Sequence, residues 1–327
     1  RLDSYGENFR KGIELALEEI NSSSSGEHFP LKVVYEDNKS NPFQSIISVR
    51  KLIEKNKLPL IIGAWSSRNF LPMAKFAQNK SKVIISLGAS SPKIRNIGSY
   101  VFSMYPLDDI QGKGLSELAM KLGYKKIGVI YVDNPYGQGV CDVFKEHYLK
   151  GENEILYEQG IDVDQLTFEH ILSQIKDMDL QAVLHINYIE QAKLLYRQAQ
   201  KMKIDIQWLA SVDQQDEELL KLNSKYLEGI IGIYYAPSNS TVNKNFEKRF
   251  IKKYGHKKTI GSAYAYDAVR LLALAIKEDG IKAFELRDSL FKVSQGYKGA
   301  SGNKAFDRHG MVSSNFLLLD NQGRRAY

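Results

Sequence analysis

Four small residues in succession, Gly88, Ala89, Ser90 and Ser91, follow the apolar run VII at 83–85. A plain turn needs one or two such residues. A longer run brings backbone N–H and C=O groups within reach of another molecule, and its hydroxyls add donors. The turn GAWSS at 63–67 leaves the apolar LPLII in the same manner. An ordinary surface loop uses the same residue types, so composition alone leaves both readings open.

Residues that could do covalent or metal chemistry form no such pattern. The six histidines, His28, His147, His170, His185, His256 and His309, make no HxH or HExxH pair, so a metal site has little support. Neither GxSxG nor GxxxxGK[ST] occurs. The GxG within YGQG at 136–139 lacks the third glycine of a dinucleotide fingerprint. Tyr136, Gly137 and Gly139 read instead as the turn from a strand into a helix. Asp108 and Asp109 are adjacent, point in different directions and suit a helix N-terminus. Cys141 is the single cysteine, which excludes an intrachain disulfide and a cysteine-built zinc site. Its helix-like setting makes it a packed thiol. No enzyme activity, metal or cofactor is expected.

The elements that must position the two small-residue turns alternate strictly. The stripe Phe9, Ile13, Ala16, Leu17 and Ile20 predicts a helix over 7–21. A strand is expected at 31–36, a helix at 41–55, strands at 58–62 and 82–86, and a helix at 68–79 between them. The alternation resumes with helices at 115–123, 136–150, 168–178, 190–202 and 216–223, and strands at 125–133, 153–160, 180–187 and 206–211. Short apolar strands between helices of this length predict βαβ units and parallel sheets covered on both faces. The pattern breaks at 100–109 and 230–238, and three helices then follow before a late strand, FLLLDNQG. Two doubly wound α/β lobes follow from this, with chain crossings near 105, 236 and 300. Ligands of such sheets sit outside the carboxyl ends of strands, where SLGASSP and GAWSS both lie.

Length agrees, since 327 residues is long for a single core. The apolar fraction of 43% and charged fraction of 25% are those of a soluble globular protein. The net charge of +7 raises nucleic acid as a partner. In the densest basic stretch, 244–258, Phe246, Phe250 and Tyr254 recur every four residues. That spacing makes an amphipathic helix with a solvated basic face, so no nucleic-acid partner is expected. No apolar run approaches the roughly 20 residues of a membrane span. The opening RLDSYGENF holds no apolar leader segment, which fits a processed chain and a cytosolic one equally.

In order and spacing, YGENFRKGIELALEEIN, GAWSS, SLGASSP, LDDIQGKG, NPYGQG, AYAYDAVRLLALAI and FDRHG resemble the type I periplasmic solute-binding proteins. The likeness is to the leucine/isoleucine/valine-binding kind that serves ABC transporters, and it covers almost the whole chain. One departure is that the family begins with a strand before the first helix, whereas this sequence starts at the loop after it.

The resemblance implies an α/β fold of two Rossmann-like lobes joined by a three-stretch hinge. One lobe would be 1–105 with 237–300, the other 106–236 with 301–327, and the ligand cleft would lie between them. It implies a carboxylate held by Ser67 and by Ser90 with the backbone of Gly88 and Ala89, beside Ser66. Short charge-assisted bonds from N–H and O–H groups suit that task. Trp65 would line the side-chain pocket, where an indole shrinks the space or stacks on the ligand. From the second lobe would come Tyr136, Tyr188 and Asp213, the last meeting an ammonium group or else capping the following helix. Tyr266 lies in a helical segment and is either a ligand contact or core. The implied function is extracytoplasmic capture of an amino acid or related small carboxylate by a monomer, lipid-anchored or not, for delivery to a membrane ABC permease. The alternatives are the sensing domain of a receptor with this fold and an enzyme on the same scaffold.

Overall fold

The computed structural model describes residues 3–22, 30–211, 230–235, 239–256, 260–314 and 316–320. The chain forms two compact units, Arg1–Leu107 with Pro237–Ser313, and Asp108–Ala236 with Ser314–Tyr327.

The first unit opens with α1 (Asp3–Ser22). Phe9, Ile13 and Ala16 of its stripe are buried, and Leu17 and Ile20 pack partly buried against the same core. Helix α2 (Pro42–Arg50) starts at Asn41, whose side chain accepts from the N–H groups of Phe43 and Gln44, and it ends in a π-helical turn, Lys51–Lys55. Then follow β1 (Leu60–Ile62), α3 (Ser67–Asn79), β2 (Val83–Ser86), a 3-10 turn (Pro92–Asn96) and β3 (Val101–Ser103). The three strands form a parallel sheet in the order β1-β2-β3, with Ile61 beside Ile84 and Ile85 beside Phe102. Every residue of β2 is buried, which is why its sequence runs apolar without alternation.

The strand expected at 31–36 is not formed. That stretch joins no ladder among the described residues. It lines an apolar cavity of about 610 Å3 together with β1, Phe9 and Ile13. A ladder needs a neighbouring strand within about 4.8 Å, and no described strand pairs with this stretch.

The second unit runs through α4 (Asp108–Lys121), β4 (Lys126–Val132), α5 (Pro135–Tyr148), β5 (Glu154–Ile161), α6 (Glu169–Lys176), β6 (Ala182–Ile186), α7 (Ile189–Lys201), β7 (Gln207–Ala210) and β8 (Ile231–Tyr235). Asp108 and Asp109 do occupy the first turn of a helix. The helix expected at 216–223 lies outside the described residues. The core of the second unit gathers Ile130, Phe168, Leu172, Val183, Leu195 and Trp208.

Back in the first unit come α8 (Thr241–Tyr254), α9 (Ile260–Asp279), α10 (Ala283–Ser294) and the short antiparallel pair β9 (Lys298–Gly299) and β10 (Gly302–Asn303). Phe246 and Phe250 of α8 are fully buried, as the four-residue spacing required. Buried Asp267 of α9 holds the β9–β10 turn by accepting from Ala300 N (2.8 Å), Ser301 N (2.6 Å), Tyr297 Oη (3.1 Å) and the Ser301 hydroxyl. Lys304, also buried, donates to the Ser301 carbonyl and lies over the Tyr264 ring. Burial pushes the Asp267 carboxyl up and the Lys304 amine down to about 8.

The described residues end in the second unit with β11 (Phe316–Asp320), antiparallel to β8. Among the described residues this gives a six-stranded sheet of order β11-β8-β7-β6-β4-β5, parallel but for that edge. Strand order reverses at β4, which has β5 on one side and β6 on the other. A crevice opens at such a reversal, beyond the strands' carboxyl ends.

Candidate functional site

In the first unit β1 and β2 are parallel neighbours, so the loops leaving their carboxyl ends lie side by side. Ser66 is the N-cap of α3 and Ser67 its first residue. The Ser67 hydroxyl accepts from the backbone N–H of Ser90 (3.1 Å) and of Ser91 (3.0 Å). Those two bonds engage both lone pairs of the oxygen, so toward any further group Ser67 can only donate. From below, Ser86 Oγ donates to the Ala89 carbonyl at 3.0 Å and closes the loop. Asn69 Oδ1 and Ser91 Oγ are buried beside this loop pair and have no partner among the described residues. An unpaired buried polar atom costs about 1–3 kcal/mol, so such atoms collect where water or a ligand completes them. The first-turn N–H groups of α3 add a partial positive charge at the same place.

Trp65 walls this loop pair. Its indole stacks on Tyr5 at 4.2 Å and 16°, lies 6.1 Å from Phe9, and meets Tyr105 edge-on at 5.9 Å. Any side chain at position 88 would collide with the six-membered ring, which accounts for Gly88. Thus the first unit does bring Trp65, Ser66, Ser67, Gly88, Ala89 and Ser90 together.

In the second unit the loops after β4, β6 and β7 meet at the reversal of strand order. Tyr136 follows β4, Tyr188 follows β6 as the N-cap of α7, and their rings stack at 5.5 Å and 23°. Asn134 caps α5 by accepting from the N–H groups of Tyr136 (2.9 Å) and Gly137 (3.3 Å). It also donates from Nδ2 to the Tyr188 hydroxyl at 3.1 Å. Position 137 admits only glycine, because a Cβ there would strike the Val132 carbonyl. The Tyr136 hydroxyl reaches Ser211 Oγ at 3.3 Å. Asn187 is fully buried beside Tyr188, and neither polar atom of its carboxamide has a partner among the described residues.

One sequence candidate falls elsewhere. Tyr266 sits in the core of the first unit at 2% exposure. Its hydroxyl donates to Glu19 at 2.6 Å and accepts from Arg249 and Arg270, so the core alternative describes it. Asp213 lies outside the described residues. Cys141 is buried, and burial pushes its thiol up to about 12, far from a reactive thiolate. No group of three or more His, Cys, Asp or Glu among the described residues could hold a metal, and no described helix is long and apolar enough to cross a membrane. Sequence reasoning missed Tyr5, Asn69, Asn134, Asn187 and Ser211. Only Asn134 carried a local signal, an Asn before Pro at a helix start. The others acquire meaning from neighbours distant in sequence.

A family model described as Periplasmic binding protein matches residues 2–320. The chain belongs to that family. Among its relatives is the Leu/Ile/Val-binding protein homolog 1 of Brucella suis, 26% identical over 310 residues, which are 94% of this chain and 83% of that protein. Among solved structures, the fold matches the branched-chain amino acid transporter substrate-binding protein LivJ of Streptococcus pneumoniae in complex with isoleucine. The TM-score is 0.86 at 24% identity, over 100% of this chain and 94% of that one. A solute-binding protein of an ABC transporter from R. palustris, in complex with benzoate, matches with TM-score 0.86 at 19% identity, over 99% and 91%. Two parallel α/β units are the architecture of this family, and solute capture is its activity.

Proposed function

We propose that this chain is an extracytoplasmic solute-binding protein, not an enzyme, that captures a small carboxylate, amino acids foremost, and delivers it to a membrane ABC permease. The observation that carries the reading is the Ser67 hydroxyl, a donor by elimination, at the start of α3. A group that meets it must be an acceptor, and the helix N-terminus favours an anion. Isoleucine and benzoate, named with the two matched structures, share a carboxylate and an apolar body and differ in the ammonium. The Trp65, Tyr5 and Tyr105 wall suits the apolar body. Tyr136 and Tyr188 would meet the ligand from the second unit, and Asp213 would meet an ammonium. Closure of the two units on the ligand is part of this proposal. Calorimetry with L-leucine, L-isoleucine, benzoate and 4-hydroxybenzoate tests it, with scattering in the presence and absence of the tightest of them. Binding of at least one, with compaction, supports the reading. Failure of all four sinks the carboxylate assignment.

A further inference from the structure

We infer that Tyr264 is a specificity-determining residue: its hydroxyl, at the far end of the aromatic wall from Ser67, selects ligands whose body carries an oxygen acceptor. This deepens the reading above and rests on it, since the carboxylate clamp fixes the ligand's near end. Two contacts place the start of α9 at that wall. The Tyr264 ring meets Tyr105 edge-on at 5.3 Å, and Tyr105 in turn meets Trp65. Three residues earlier, a Cβ at Gly261 would lie 2.8 Å from the Phe9 ring, and Phe9 is itself a neighbour of Trp65. Ala263 and Ala265 on either side of Tyr264 are buried, whereas Tyr264 keeps part of its surface open. A helix turns about 200° over two residues, so Tyr264 points away from the core direction in which Tyr266 meets Glu19. The Tyr264 hydroxyl makes no hydrogen bond among the described residues, although a half-buried phenol normally has a partner. Its surroundings set the polarity of that partner. Lys304 Nζ lies 4.3 Å from the centre of the ring, so a further cation there is repelled. Burial and the Asp267 carboxylate push the phenol up, so it keeps its proton to donate. Tyr105 stands between Tyr264 and Trp65, which sets the hydroxyl against the ligand's body and not its clamped carboxylate.

Two pairs of compounds of similar shape test this by calorimetry, 4-hydroxybenzoate against benzoate and L-asparagine against L-leucine. In at least one pair the wild type should bind the member with the extra oxygen at least about fivefold tighter. Tyr264→Phe keeps the ring and its contacts with Tyr105 and Lys304, and should bring that ratio to about one. Ser67→Ala should weaken both members of the pair and leave the ratio as it is in the wild type. The inference is overturned if neither pair shows the preference, or if the preference survives in Tyr264→Phe. A separate readout covers failure of the clamp. In protein labelled at the hydroxyl-bearing tyrosine carbon, the Tyr264 resonance is assigned by its loss in Tyr264→Phe. If none of the four compounds binds, the carboxylate reading fails on its own account, and phenol, which has no carboxylate, decides the role of Tyr264. A resonance that moves with millimolar phenol upholds the contact, and one that stays in place overturns it.

Discussion

Ser67 and Ser90 sit 23 positions apart in sequence and do different work. Ser90 is a nearly buried hydroxyl on the loop, whereas Ser67 holds that loop through two backbone N–H groups. Ser90→Ala should therefore weaken carboxylate binding about tenfold and leave the denaturation midpoint unchanged, since a bond to a charged group contributes about 1.5–3 kcal/mol. Ser67→Ala should weaken binding and also lower unfolding free energy by about 1–3 kcal/mol, because two buried donors lose their acceptor. An unchanged midpoint in Ser67→Ala would show that the loop holds itself. His185 offers a test at the same scale in the second unit. It is fully buried in β6, bonded to the Tyr196 hydroxyl and edge-on to Trp208, and burial pushes it down to about 3. The unfolded chain then binds the extra proton between about pH 6.5 and 3, and the folded one does not. Stability contributed by neutral His185 is thus complete above pH 6.5 and falls as pH drops through that window, by on the order of 1 kcal/mol per unit. His185→Gln should flatten this part of the acid limb in denaturation curves taken from pH 7 to 4. An identical slope in the variant would place the acid sensitivity elsewhere.

At the scale of elements, buried Asp267 ties α9 to the β9–β10 turn. Four groups donate to one buried carboxylate. Removing the acceptor in Asp267→Ala strands two backbone donors and leaves Lys304 buried without its opposing charge. Breaking a buried charge pair in this way costs about 3–5 kcal/mol. Chemical denaturation should show that loss, with Asp267→Asn intermediate because one oxygen remains to accept. A loss below about 1 kcal/mol in Asp267→Ala would mean that the turn is held by its own ladder. The element that failed to form makes the complementary point. The stretch 31–36 reads as a strand in the sequence but joins no ladder among the described residues, and pairing is what makes a strand.

At the scale of the whole molecule, a ligand that binds only the folded chain adds stability by mass action. At about 100 times its dissociation constant the gain is roughly 2.7 kcal/mol. Whichever of leucine, isoleucine or the benzoates binds in calorimetry should raise the thermal midpoint, and the rise should grow with the logarithm of its concentration. A midpoint that stays fixed while calorimetry reports binding would mean that the unfolded chain takes up the compound equally well.

Much of this was legible in the chain itself. Alternating apolar periodicities gave the helices and parallel strands, because burial on one face or two leaves a pattern of fixed period. The order of GAWSS, SLGASSP and NPYGQG marked where strands end and loops reach outward, and thus most of the candidate site. Periodicity could not say whether Tyr266 faced a ligand or Glu19, since both require the same buried helical face. Nor could it find Asn187, Asn69 or Ser211, which are common polar residues without a spacing of their own. Only the tertiary structure decided that Ser67 accepts twice and Asn134 donates to Tyr188. Hydrogen-bond polarity belongs to pairs of atoms, and these pairs join loops that sheet order, not sequence distance, brings side by side.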